Sequence, residues 1–202
     1  MLLEHKGENR IQVSSTGKAY DHITGLLDSF SSKAKVVVEL GCGSKQYRSC
    51  FNGRYVGLDI RSVVYLGNRP DIFADAQTLP FKDESVDLIF VVASLLIIPD
   101  TDKVISECFR VLRDSGQVVI FDYNRWVSKR LQRQDKYHLH SFSSRRLIQK
   151  LAMHCFETRV HWSCVPVKGP WVVKKIVSIK FIKILTYFIS NWVIVSGKKR
   201  IS

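Results

Sequence analysis

The stretch Val36-Val37-Val38-Glu39-Leu40-Gly41-Cys42-Gly43-Ser44 constrains the fold more than any other part of the chain. A β-branched apolar run that stops at two closely spaced glycines is the pattern of a strand buried on both faces, as in a parallel α/β sheet. Gly41 and Gly43 permit a sharp turn and a backbone surface that a ligand can approach closely, which a Cβ would block. Open α/β sheets bind ligands in the crevice beyond the carboxyl ends of their strands, so this turn is the first candidate site. Taken alone, a Gly-x-Gly turn is equally a plain connection between elements.

A second apolar strand, Tyr55-Val56-Gly57-Leu58-Asp59, ends in a carboxylate placed to suit the two hydroxyls of a ribose. The dinucleotide-binding pattern Gly-x-Gly-x-x-Gly fails, because Gln46 stands where its third glycine belongs. Phe73-Ala74-Asp75-Ala76, Leu79-Pro80-Phe81, Ser85-Val86-Asp87-Leu88-Ile89-Phe90 and Arg110-Val111-Leu112-Arg113-Asp114-Ser115-Gly116 follow in order. Taken together, these motifs resemble the class I S-adenosylmethionine-dependent methyltransferases. The likeness is to the group with Glu/Asp-Leu-Gly-Cys-Gly, Asp-Ala-x-x-Leu-Pro-Phe and Arg-Val-Leu-Lys/Arg-x-x-Gly, and it covers roughly Lys35 to Phe121.

The resemblance implies an α/β fold: a doubly wound, mostly parallel seven-stranded sheet of Rossmann-like type with an antiparallel last strand. It implies S-adenosyl-L-methionine as cofactor and S-adenosyl-L-homocysteine as product. Glu39, Gly41, Cys42 and Gly43 would surround the methionine portion, and Asp59 with Ile60 the ribose. Asp75 and Ala76 would meet the adenine edge, and Ala93-Ser94 would lie beneath the sulfonium. For Asp75 the plain alternative is a turn residue bonded to its own backbone.

Three departures bear on function. Lys45 replaces a glycine common in the family. Arg61 to Pro70 has little helical pattern, so the connection after the second strand reads as a loop. The apolar Leu96-Ile97-Ile98 stands where relatives carry a basic or acidic residue, and no Asn-Pro-Pro-Tyr type motif is present, which argues against methylation of an exocyclic base nitrogen. His140 has the ring chemistry of a general base near neutral pH and precedes a helix with Ser143 as N-cap; it is the candidate catalytic residue, with a structural histidine as the alternative.

A chain of 202 residues is expected to form one domain. The expected parts are a loose arm over 1–17, a cofactor core over 35–123 and an acceptor-side region over 124–202. Five cysteines without Cys-x-x-Cys or metal-ligand spacing point to a reduced, metal-free, cytoplasmic protein, and Met1 to Arg10 lacks an apolar signal core. Charge is unevenly placed. Met1 to Tyr123 holds fourteen Lys/Arg against sixteen Asp/Glu, whereas Asn124 to Ser202 holds seventeen against only Asp135 and Glu157. Such asymmetry fits an anionic partner: a phosphate-bearing or lipid-linked small-molecule acceptor, an acidic membrane surface or nucleic acid. A solvated, solubilising face is the plain alternative.

Helices are expected over Lys18–Phe30, from Lys45 to Phe51 with its N-terminus towards the cofactor, over Asp102–Leu112 capped by Asp100, and over Ser144–Met153. Strands are expected over Arg54–Ile60, Val86–Val92, Gln117–Phe121, Cys155–Ser163 and near the final Asn191–Gly197. The basic, interleaved Lys129–His140 is a candidate nucleic-acid patch. Trp171–Ile189, apolar but broken by four lysines, reads as an amphipathic helix for an anionic membrane surface, at which the protein would sit peripherally. A helix packed on the sheet is the alternative.

Overall fold

The computed structural model describes residues 17–60, 68–123, 128–129, 132–133, 140–161 and 192–200. Residues 1–16 of the expected arm, the expected amphipathic helix over 171–189 and most of the 129–140 patch lie outside the described residues, and Gly17, the arm's last residue, begins the first helix.

Helix α1 (Gly17–Ser31) precedes strand β1 (Val36–Leu40), followed by β2 (Arg54–Asp59), β3 (Ile72–Phe73) and β4 (Val86–Val92). Helix α2 (Thr101–Val111) runs directly into β5 (Leu112–Tyr123); α3 (Ser144–Met153), β6 (Phe156–His161) and β7 (Trp192–Lys199) complete the order. The seven strands form one sheet in the order β3-β2-β1-β4-β5-β7-β6. Strands β3, β2, β1, β4 and β5 are mutually parallel, and β7 lies antiparallel between β5 and β6. This is the expected doubly wound, mostly parallel sheet with its antiparallel last strand.

Residues alternate across β1. Val38 and Leu40 enter the core under α2 and α3, while Val37 enters the opposite layer under α1. The α1 layer is aromatic: Phe51 lies 5.0 Å from Phe90 between ring centroids, and Tyr47 and Tyr55 close around them. The stripe Ile23 and Leu27 of α1 packs onto this cluster. Asp100 caps α2 by accepting the Lys103 N–H at 3.0 Å, and Ser143 caps α3 by accepting the Arg146 N–H.

The Leu79-Pro80-Phe81 run before β4 is held by one guanidinium. Arg110 donates to the carbonyls of Leu79 and Phe81 and to the carboxylates of Glu107 and Asp83, and Glu107 accepts the Leu79 N–H. Asp87 ties β4 to the start of β1 by accepting the Lys35 and Val36 amides, and Arg113 pairs with it at 2.8 Å. The Arg-Val-Leu-Arg motif is therefore a clamp on the sheet's amino edge.

One expected element is corrected. Lys45 to Phe51 does not begin a helix facing the cofactor; it holds turns and a single 3₁₀ turn over Arg48–Cys50. Gly43 and Lys45 have φ of +50° and +56°, a left-handed backbone that cannot start a right-handed helix. Tyr47 and Phe51, spaced as on a helix, instead wedge into the aromatic layer. Strand β5 is also longer than expected, beginning at Leu112 because α2 ends without a loop.

Phe90, fully buried on the central strand among three rings, makes the α1 layer sensitive to truncation. Phe90→Ala is expected to lower unfolding stability by about 3–5 kcal/mol, read as a shift of the urea midpoint at unchanged slope.

Candidate functional site

The carboxyl ends of β1, β2 and β4 open on one edge of the sheet. Both Gly41 and Cys42 donate their amides to the Leu58 carbonyl, at 2.8 and 3.1 Å, which extends the β1–β2 pairing into the turn. The Gly43 N–H reaches across to Asp59 Oδ2 at 2.8 Å, and Ile60 N–H donates to Oδ1 at 2.7 Å. Asp59 thereby fixes the glycine turn and keeps further lone pairs at its rim, since a carboxylate accepts about four hydrogen bonds.

The two glycines have different reasons. At Gly41 (φ +68°) a Cβ would lie 2.3 Å from Ser94 Oγ and 2.5 Å from its Cβ, so the absent side chain is the space Ser94 fills. Ser94 in turn donates towards the carbonyls of Val92 (3.0 Å) and Gly41 (3.2 Å). At Gly43 (φ +50°) a Cβ would meet nothing within 4 Å, which leaves an open cradle at the turn. Gly57 of β2 makes room for Cys42 and for the stem of Lys45, either of which would touch a Cβ within 3 Å.

Lys45 holds a glycine-like φ although it carries a side chain. Its Nζ pairs with Asp71 at 2.8 Å, and Asp71 also accepts the Gly57 N–H. The departure from the family's glycine is therefore structurally accommodated: the ion pair spans the turn and β2. Ala93, at the end of β4, is a second left-handed non-glycine residue (φ +52°) on this edge.

Glu39 is 2% exposed and accepts a hydrogen bond from the Tyr55 hydroxyl. Burial pushes its carboxyl up to about 8; the Tyr55 bond opposes this and the Asp59 charge adds to it. Burial likewise raises the thiol of Cys42, with Glu39 and Asp59 reinforcing it, so Cys42 stays a neutral thiol rather than a nucleophile. Asp75 forms the turn that the sequence offered as its alternative role: Oδ1 accepts the Gln77 N–H at 2.8 Å, and the Gln77 side-chain amide bonds both oxygens. The carboxylate stays exposed beside buried Ala76, and Ile60 and Phe73 present exposed apolar side chains at the ends of β2 and β3.

His140 is tethered rather than free-standing. Its Nε2 lies 2.9 Å from the Ile98 carbonyl and 3.0 Å from that of Pro99, and its amide donates to the Leu96 carbonyl. Carbonyls only accept, so Nε2 carries the hydrogen and Nδ1 is the nitrogen left for proton transfer. The ring stacks on Phe142. Ile97, 43% exposed, stands on the same β4–α2 connection.

Asp122 follows directly on the expected Gln117–Phe121 strand; it lies inside β5, at the sheet's carboxyl end, and is fully buried. Its Oδ2 has no hydrogen-bond partner among the described residues. Burial lifts the carboxyl to about 7, against the smaller opposing effect of the Tyr123 and Leu96 amides. Nothing in the local sequence marks this burial, because a lone Asp after an apolar run reads as a strand end. Among the described residues no cluster of His, Cys, Asp and Glu is arranged to hold a metal ion, and no helix is long and apolar enough to cross a membrane.

Residues 38–120 match the family model described as "Methyltransferase domain". The chain is 35% identical over 89 residues to a ubiquinone/menaquinone biosynthesis C-methyltransferase of Idiomarina loihiensis, spanning 44% of this chain and 35% of that protein. It is 25% identical over 154 residues to a malonyl-[acyl-carrier protein] O-methyltransferase of Methylococcus capsulatus, spanning 73% and 52%. The chain thus spans from about a third to half of the length of these curated relatives. Among solved structures, the geranyl diphosphate C-methyltransferase of Streptomyces coelicolor, in complex with Mg2+, geranyl diphosphate and S-adenosyl-L-homocysteine, aligns with a TM-score of 0.64 at 15% identity, over 92% of this chain and 80% of that one. The complex between the Haloferax volcanii Trm112 methyltransferase activator and a methyltransferase aligns with a TM-score of 0.68 at 14% identity, over 89% and 90%.

The glycines should separate by substitution. Gly41→Ala collides with Ser94 and is expected to lower the melting temperature by several degrees, as for a loss of about 1–3 kcal/mol. Gly43→Ala is expected to cost less stability and to act mainly on ligand affinity, because its methyl enters the open cradle. Asp122 supplies a pH test. Its carboxyl is raised in the fold, so its contribution to stability is complete below about pH 4 and lost as pH rises through about 7. Asp122→Asn is therefore expected to flatten the fall in urea midpoint between pH 5 and pH 8 relative to the parent protein.

Proposed function

We propose that this chain, which carries a methyltransferase domain of the S-adenosylmethionine-dependent class, transfers a methyl group from S-adenosyl-L-methionine to a small-molecule or lipid- or glycan-linked acceptor. The observation that carries this reading is the open cradle at Gly43 with the Asp59 carboxylate fixed at its rim by the Gly43 and Ile60 amides. Bound there, the cofactor supplies a methyl group already activated on a sulfonium. The protein's part is alignment of donor and acceptor, catalysis by proximity and orientation. In this reading Glu39, Gly41, Cys42 and Gly43 would hold the amino-acid end, Asp59 and Ile60 the ribose and Asp75 and Ala76 the base, with Ala93-Ser94 as the floor under the reacting centre.

Three observations support the acceptor class. Ile97 exposes an apolar side chain on the β4–α2 connection that His140 closes. The C-terminal part of the chain carries a net charge of +15, which suits an anionic head group. The named relatives are a C-methyltransferase of ubiquinone/menaquinone biosynthesis, a malonyl-[acyl-carrier protein] O-methyltransferase and, among solved structures, a geranyl diphosphate C-methyltransferase. Where the acceptor must lose a proton, His140 through Nδ1 is the proposed base. The basic, apolar stretch over 171–189 would bring a cytoplasmic enzyme to an anionic membrane surface. The same charge supports a second reading, RNA methylation through the Lys129–Arg146 region, and a cofactor-binding module without turnover is the third.

Calorimetric titration with S-adenosyl-L-methionine and S-adenosyl-L-homocysteine is expected to give saturable binding. Asp59→Ala should weaken it by about 10- to 100-fold, the worth of hydrogen bonds to a charged group. Unchanged affinity in a folded variant would remove Asp59 from the site. Recruitment to anionic liposomes supports the lipid-linked acceptor, whereas steeply salt-dependent RNA binding supports the second reading.

A further inference from the structure

Glu39 points from β1 into the aromatic layer, not into solvent. Val37, two residues earlier on the strand, faces the same layer, where Tyr47, Phe51, Tyr55 and Phe90 are packed. The hydrogen bond it receives comes from the Tyr55 hydroxyl, a donor that serves a neutral acid as well as a carboxylate.

Among the described residues, the groups that touch it supply no positive charge. From β2 come Tyr55 and the Asp59 carboxylate; from the turn come Cys42 and Tyr47; from the 3₁₀ turn comes Cys50. Helix α1 contributes Tyr20, whose ring stacks on Tyr47 and whose hydroxyl donates to the Gln46 carbonyl. The two nearby cations are engaged elsewhere. Lys45 Nζ pairs with Asp71, and the Arg48 guanidinium lies over the Tyr55 ring and donates to the Phe51 carbonyl. Among the described residues Glu39 has no ion-pair partner. An ionised Glu39 would be an uncompensated charge in an apolar layer, which proteins avoid by keeping the group neutral.

We propose that Glu39 is a neutral carboxylic acid in the ligand-free protein and releases its proton to solvent when the α-ammonium of the cofactor's amino-acid end arrives beside it. The inference rests on the cofactor reading above. Its basis is geometric, namely a buried acid lacking a cation at the end of the strand that leads into the glycine cradle. The direction and size of the carboxyl's displacement, up to about 8 by burial, agree with it.

The step balances simply. The Glu39 O–H bond breaks, the proton goes to buffer, and an ammonium–carboxylate ion pair forms while Tyr55 continues to donate. Burial makes the ammonium worth more here than at the surface, because the charge it neutralises is screened little. Binding is then linked to pH. Below about pH 8 affinity rises with pH, approaching tenfold per pH unit, and above that it levels off.

The experiment is titration calorimetry of the intact chain at pH 6.5 in two buffers of different ionisation enthalpy, phosphate and Tris. S-Adenosyl-L-homocysteine is expected to show a buffer-dependent enthalpy corresponding to release of about one proton, as the acid is then almost fully protonated. 5′-Methylthioadenosine, which lacks the amino-acid end, is expected to bind with no such dependence. Glu39→Gln, an isosteric neutral side chain that Tyr55 can still bond, should fold, bind S-adenosyl-L-homocysteine more weakly and release no proton. Binding to the parent protein with the same enthalpy in both buffers would overturn the proposal while leaving the cofactor reading intact, as would undiminished release from Glu39→Gln. Absence of binding by every ligand would overturn the cofactor reading, and this proposal with it.

Discussion

Past their carboxyl ends, β1 and β4 approach so closely that the Ser94 side chain occupies the volume where Gly41 would otherwise carry its own. This contact sets the rest of the edge. The turn after β1 must bend sharply, which brings the Gly43 amide onto Asp59 and the Lys45 stem over Gly57. The backbone at Lys45 and Ala93 adopts conformations that side chains disfavour by about 1–3 kcal/mol each. Such residues persist only where surrounding contacts hold them. Here the Lys45–Asp71 ion pair and the Ala93 N–H bond to the Phe121 carbonyl do so.

The same edge gathers two buried acids on different strands, Glu39 of β1 and Asp122 of β5. Burial, rather than a partner charge, raises the carboxyl of each. Both lie at the carboxyl ends of their strands, amid a core that is mainly aliphatic and aromatic. The amino edge is built differently. Arg110, Arg113, Glu107, Asp83 and Asp87 form paired, half-exposed charges that fasten loops to strands. The sheet is thus clamped at one end and electrostatically unfinished at the other.

Most of this architecture was legible in the sequence because it rests on patterns that local chemistry dictates. Val36 to Leu40 and Val86 to Val92 could only be buried strands, and Asp100 and Ser143 mark helix starts by the oxygens they offer to free amides. The turn residues Gly41, Gly43 and Asp59 were likewise singled out; the structure bonds the Gly43 amide to Asp59 and the Gly41 amide to the neighbouring Leu58 carbonyl. Lys45 to Phe51 departs from the helix expected after β1 because a left-handed lysine stops it, and no residue type announces that conformation. Asp122 was hidden for the opposite reason. Its burial is set by β7 and the Leu95–Ile97 turn, distant segments that a linear pattern does not contain.

Strand β7 inserts between β5 and β6 although it follows both in the chain. During synthesis β6 therefore has no neighbour to pair with until residues 192–199 have left the ribosome, and β5 presents an open ladder for the same interval. Exposed strand edges of this kind recruit other chains, so β7 is the element that closes both ladders at once. Lys199 fastens it there, with its ammonium buried against the Leu112 carbonyl at 2.8 Å and over the Phe109 ring. The last strand in sequence is thus latched onto the first residue of β5, and the antiparallel third of the sheet hangs on a strand that joins two earlier ones.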